Sequence, residues 1–201
     1  FNATCQDLYG RTLAELRRIF PRAKWAFLYL PPMLYGMDPL LPPGTMGYGT
    51  TFPNRASQAN DEIAWYVDQV DFIASVMLPW AFSVNQGESS DYARGTVDPV
   101  WNWKYYDSNI NEAVRFARGK PIYAFMNSRY AQGWGRMTGK PNLNTMDLTQ
   151  ALTAVMMNPA YKGAIIWDEH HSDTVLTAWE TYIQNDFWPT ATSLAQQWNR
   201  R

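Results

Sequence analysis

The chain has 201 residues, 46% of them hydrophobic, and 17 basic side chains against 18 acidic ones leave a net charge of −1. That length falls in the single-domain range with enough apolar residues for a sizeable core. Scattered, balanced charge gives no nucleic-acid or anionic-membrane footprint, no apolar run is long enough to span a bilayer, and the first residues do not read as a signal peptide.

In chain order, Leu8, Thr12, Leu13, Leu16 and Ile19 recur at helical spacing, and Pro21 closes that helix. Trp25 to Leu30 reads as a strand stopped by Pro31-Pro32, and a Gly/Pro-rich loop then runs to about Asn54. A helix is expected from about Ser57 to Val70, with Ile63, Ala64, Val67 and Val70 on one side. Phe72 to Leu78 is the second strand, ended by Pro79, and after a long loop the next helix is expected from about Ser108 to Arg118. Lys120 to Met126 gives the third strand, followed by a glycine-rich loop to Asn144 and a helix over Met146 to Met157. Gly163 to Trp167 is the fourth strand, and two helices separated near Asn185 to Pro189 finish the chain.

Helix and strand alternate throughout, with long loops after the strands and short ones before them, which predicts a parallel α/β architecture. Long loops at the carboxyl ends of strands fit a (β/α) barrel, but such a barrel has eight strands and about 250 residues, and this chain supplies four strands. The expectation is one domain over residues 1–201 forming the C-terminal half of a TIM-type barrel. Its open edges would be covered by an N-terminal half or another protein chain. The alternative is a compact, doubly wound four-stranded sheet.

The strand at residues 163–167 breaks off into Trp167, Asp168, Glu169, His170 and His171, so costly polar residues stand where barrel active sites are built. Three readings apply. Asp168 or Glu169 could act as an acid, its pKa raised by desolvation beside Trp167. The cluster could bind metal, although adjacent residues diverge in direction, and neither a metal nor a cofactor is expected. Acidic residues could instead favour the start of the next helix.

Ten Trp and twelve Tyr are the other unusual feature. Trp80, Trp101, Trp103, Tyr105, Tyr106, Trp134 and Trp167 fall in expected loops, where rings stack on sugars or bases or else pack beneath the loop. Arg129, just after the third strand, could pair with a carboxylate ligand or remain a solvated loop charge. Cys5 is the one cysteine, and Asn2-Ala3-Thr4 is an N-glycosylation acceptor if the protein is secreted.

Four stretches in order resemble the hyaluronidases, the animal-type glycoside hydrolases. They are Arg17-Arg18-Ile19-Phe20-Pro21 followed by Trp25 to Pro31; Asn60-Asp61, Trp65 and Leu78-Pro79; Asn111 to Arg118 followed by Pro121 to Phe125; and Asp147-Leu148 leading to Ile166-Trp167. The resemblance implies a distorted (β/α) barrel acting on glycans that contain N-acetylhexosamine, in a secreted or extracellular protein. It also implies substrate-assisted hydrolysis, in which the acetamido oxygen attacks the anomeric carbon and a Glu of an Asp-x-Glu pair is the general acid. No Asp-x-Glu occurs in this sequence, so the resemblance puts that pair in the N-terminal half. It makes Trp167 a sugar-packing residue and puts Leu28 and Phe82 where the family has active-site tyrosines. Two function classes follow: a glycosidase segment completed elsewhere, or a non-catalytic glycan-binding or structural protein on a degenerate barrel.

Overall fold

A computed structural model describes residues 2–28, 60–77, 82–83, 96–97, 99–128, 142–167 and 173–198. Its elements are α1 (Asn2–Ile19), α2 (Trp65–Gln69), β1 (Ile73–Val76), β2 (Phe82–Ser83), β3 (Thr96–Val97), α3 (Pro99–Ala117), β4 (Ile122–Met126), α4 (Thr145–Met157), β5 (Tyr161–Ile166) and α5 (Asp173–Tyr182). A π-helical turn (Ile183–Phe187) then leads into α6 (Trp188–Trp198). The main sheet is parallel, in the order β1-β4-β5, and β2 and β3 form a second, two-stranded parallel pair. Among the described residues, each strand of the main sheet lies beside the next one that joins it, without the reversal of order that a doubly wound sheet requires.

Register divides the sheet into two faces. Ile73 and Ser75 of β1 pair with Ile122 and Ala124 of β4, and this side continues through Met126 and Ser128. All six are buried. Helices cover this face: α3 packs on β1, β4 and α4, while α4 packs on β5 and α6. Spacing explains the fit, since Tyr106, Ile110, Ala113 and Ala117 of α3 and Leu148, Ala151, Leu152 and Val155 of α4 are buried at helical intervals. Burying side chains such as Ile73, Ile122 and Met126 stabilises the fold by about 1.5–3 kcal/mol each. Two polar links cross this layer. The Tyr161 hydroxyl donates to Ser75 Oγ at 3.1 Å, and Trp179 Nε1 of α5 donates to Ser128 Oγ at 2.7 Å.

Several expectations need correction. Of the first strand, expected over Trp25 to Leu30, the described residues end at Leu28, which makes a parallel bridge to Ala74, and the described main sheet has three strands. Side chains bind the backbone of its described part. Trp25 N donates to Asp71 Oδ2 at 2.8 Å and Asp71 N donates to Trp25 O at 2.8 Å. The Tyr66 hydroxyl accepts from Phe27 N at 2.6 Å and donates to Phe27 O at 2.9 Å.

Helix α3 starts at Pro99, well before the expected Ser108, and takes in the run Trp101 to Tyr106 that was assigned to a loop. Proline at the first helical position is a start signal that the density of aromatics obscured. The break expected near Asn185 to Pro189 is instead a π-helical turn between two helices. Proline lacks the N–H that an α-helix would use and its ring crowds the preceding turn, so a widened turn before Pro189 lets the helix continue. The strands β2 and β3 fall where only loop was expected.

Candidate functional site

The second face of the sheet is where the sequence and the fold converge. Register sets Leu28, Ala74, Tyr123 and Gly163 in one row, then Val76, Phe125 and Ile165, then Asn127 beside Trp167 at the carboxyl end. The last row follows from Trp167 N, which donates to Met126 O at 2.9 Å and keeps the two chains in step past the end of the ladder. Over β1 this face is covered, with Ala74 and Val76 buried. Toward β5 it opens: Tyr123 and Phe125 are half-buried, Ile165 is 36% exposed and Trp167 43% exposed. No described strand pairs with the outer edge of β5.

The rings on this face support one another. Phe72 meets Tyr123 edge-on at 5.3 Å between centroids, and Phe125 lies 6.1 Å from Trp167 with the planes 31° apart. Gly163 leaves room beneath Tyr123, whose ring carbons would sit 3.5 and 3.6 Å from a Cβ added there. Trp167 thus stands at the rim with one side braced by Phe125 and a large part of its surface free. An indole held this way offers a flat apolar face to the C–H side of a sugar ring.

The sequence-predicted site residues divide into several groups. Trp167 is on this face at its carboxyl end, as expected for a residue after a parallel strand. Leu28 is in the first row, 37% exposed, at the opposite margin from β5. Phe82 lies in β2, paired in register with Thr96 and outside the main sheet. Asn2 is the first residue of α1. Trp80, Arg129, Asp168 and Glu169, with His170 and His171, lie outside the described residues. Tyr106, named for an aromatic surface, is fully buried, and that burial, with a further push from the negative charge of Asp147, raises its hydroxyl pKa well above the usual value. It belongs to the core.

Phe125, Tyr123 and Asn127 escaped the sequence reading. Their signal was available as alternation: Ile122, Ala124 and Met126 are apolar and buried, whereas Tyr123, Phe125 and Asn127 are aromatic or polar and half-buried. Five of the six residues from Ile122 are hydrophobic, which masks that alternation.

Motif residues Asn60, Asp61, Glu112 and Arg115 form a separate cluster. Arg115 binds the carboxylate of Glu112 through Nε (2.8 Å) and Nη2 (2.6 Å), and reaches Asp61 Oδ1 at 2.6 Å. Asn60 Nδ2 donates to Glu112 Oε1 at 2.7 Å. Glu112, with Asp61, raises the pKa of the guanidinium and keeps it charged. Glu112 is only 4% exposed, and a buried carboxylate needs such partners. The cluster ties α3 to the helical turn at residues 60–62. Its role is structural.

No family model and no curated protein matches the sequence. The fold does find likenesses. A monoclinic crystal structure of bee venom hyaluronidase matches with a TM-score of 0.65 at 18% identity, over 92% of this chain and 53% of that one. A crystal structure of bee venom hyaluronidase in complex with a hyaluronic acid tetramer matches with a TM-score of 0.66 at 18% identity, over 92% of this chain and 51% of that one. The fold is therefore hyaluronidase-like, and the chain spans about half the length of the solved structures it matches. Among the described residues no helix is long and apolar enough to cross a membrane.

Proposed function

We propose that this chain forms the carboxyl-terminal half of a hyaluronidase-like barrel and one wall of an extracellular site for glycans containing N-acetylhexosamine. The observation that carries this reading is Trp167, braced by Phe125 and exposed at the carboxyl rim of a parallel sheet whose path follows bee venom hyaluronidase. The likeness to a structure holding a hyaluronic acid tetramer supports a glycan as the ligand. In this reading Trp167 stacks on a sugar ring, Trp80 and Phe82 also bind substrate, and Arg129 pairs with a uronic carboxylate. Asn2 carries an N-linked glycan. The Asp-x-Glu pair comes from a segment outside this chain, which also covers the open edge of β5.

A second reading is a glycan-binding or structural protein without turnover, and Leu28 favours it. Leu28 belongs to the partly open face, at a position where the resemblance calls for tyrosine, and it has no hydroxyl to hold an acetamido group. Loss of such positioning can cost about a hundredfold in rate. The discriminating experiment uses the full natural polypeptide that carries this chain. Hyaluronan hydrolysis is followed by reducing ends, and hyaluronan tetrasaccharide binding by calorimetry, beside a Leu28→Tyr, Phe82→Tyr double variant. Weak turnover that rises in the variant establishes the hydrolase. Binding without turnover in either protein establishes the second reading. Absence of binding in the parent overturns both.

A further inference from the structure

Beside Trp167 at the rim stands Asn127, a residue to which neither the motifs nor the resemblance gave a role. It follows the last residue of β4, and the alternation of burial through Met126, Asn127 and Ser128 turns its side chain to the open face. Ser128, on the other side, is held by Trp179 of α5. The carboxamide oxygen of Asn127 is shielded from solvent, yet it accepts no hydrogen bond. Folded proteins rarely leave a shielded acceptor unpaired, because the group has lost water and gained nothing. Trp25 Nε1 and Gln69 Oε1, also shielded without a partner, belong to the amino end of the sheet: Trp25 is paired with Asp71, just before β1, and Gln69 ends α2. Asn127 is thus a vacant acceptor on the row where ligands of parallel sheets bind.

We infer that Asn127 is a specificity-determining residue of the glycan site, its carboxamide oxygen accepting a hydrogen bond from a sugar N–H or O–H while Trp167 packs on the ring. The inference rests on the glycan reading above. The chemistry suits it: an acceptor held out of water discriminates strongly against a ligand that lacks the matching donor, and an adjacent indole supplies the apolar contact that excludes solvent. A neutral carboxamide also does this at any pH, unlike a carboxylate.

The test compares the parent polypeptide with Asn127→Leu, which is close in volume and has no acceptor. With hyaluronan tetrasaccharide as the probe, the variant is expected to bind about tenfold more weakly, ~1.4 kcal/mol. Its melting temperature should be unchanged or higher, because an unpaired acceptor has been replaced by an apolar group. Equal affinity in the two proteins overturns the inference, as does a lower melting temperature, which would mark Asn127 as structural. In the unmutated protein, the Asn127 side-chain carbonyl resonance is expected to move on adding the tetrasaccharide, and a resonance unmoved at saturation also overturns it. If the parent does not bind the tetrasaccharide at all, the glycan reading itself fails, a result distinct from parent and variant binding alike.

Discussion

The proposed glycan contact rests on Trp167, which also supplies its test. Its indole is 43% exposed and its main packing partner is Phe125. Truncation should therefore remove a binding surface while taking little from the core. Trp167→Ala is expected to weaken hyaluronan tetrasaccharide binding by about 1–3 kcal/mol, within the range of aromatic stacking losses, with melting temperature nearly preserved. Calorimetry and a thermal scan on the same samples check both halves. Unchanged affinity would remove Trp167 from the site. The rim position of this residue was legible in the sequence, because a β-branched apolar run ending abruptly in polar residues marks the end of a parallel strand. Its neighbour Asn127 was not, since only register shows that Asn127 and Trp167 stand side by side.

Among the elements, the segment before residue 28 is the least conventional. Among its described residues it makes one bridge, Leu28 to Ala74, and two side chains bind further backbone groups. Tyr66 is fully buried, and its hydroxyl serves both polar groups of Phe27. Burial raises its pKa to about 12, with the bond to the Phe27 carbonyl pulling the other way, so it stays a donor across the working range. Tyr66→Phe would strand Phe27 N and O, and a loss of about 1–3 kcal/mol is expected in denaturant unfolding. A loss below half of that would mean that water replaces the hydroxyl.

Asp71 supplies the other link, and its contribution depends on pH. Partial burial pushes its carboxyl pKa up, but the Trp25 N–H and the Arg17 guanidinium, 3.3 Å away, together with the charge of Lys24, outweigh that and hold it below the usual value. A carboxylate whose folded pKa is depressed contributes stability above its unfolded pKa of about 3.9, and the contribution is lost as pH falls through the folded value. Asp71→Asn should therefore be less stable than the parent at neutral pH, with the gap closing as pH falls through the depressed pKa of Asp71. A gap that stays constant from neutral to acid would assign the effect to packing. None of this was visible in advance. The sequence pattern of Trp25 to Leu30 is that of a strand, and only the placement of Tyr66 and Asp71 decides which groups satisfy its backbone.

The whole molecule presents an unbalanced sheet. Helices close one face, while the other opens toward β5, whose outer edge pairs with no described strand. An apolar edge strand of this kind invites pairing with another chain. Residues 1–201 expressed alone are expected to aggregate or to form a loosely packed state, with weak near-UV dichroism despite ten tryptophans. A monomer that unfolds in one cooperative step with strong near-UV signal would refute this.

Class and direction were determined by the sequence by itself. Helical and strand periods alternate, loops are long on one side, and hydrophobic runs of strand length stop at polar residues, so a parallel α/β sheet follows from local physics alone. Which strands become neighbours, which face of β4 stays open, and which motif residues are structural depended on tertiary contacts. Glu112 and Arg115 meet Asn60 and Asp61 across about fifty residues of chain, and no periodicity encodes that meeting. Pro99 marks where the helix through Trp101 to Tyr106 begins, but no local signal says that the hydroxyl of Tyr106 is out of reach of solvent. Local preferences act over a few residues, whereas burial and pairing are settled only when distant segments compete for the same space.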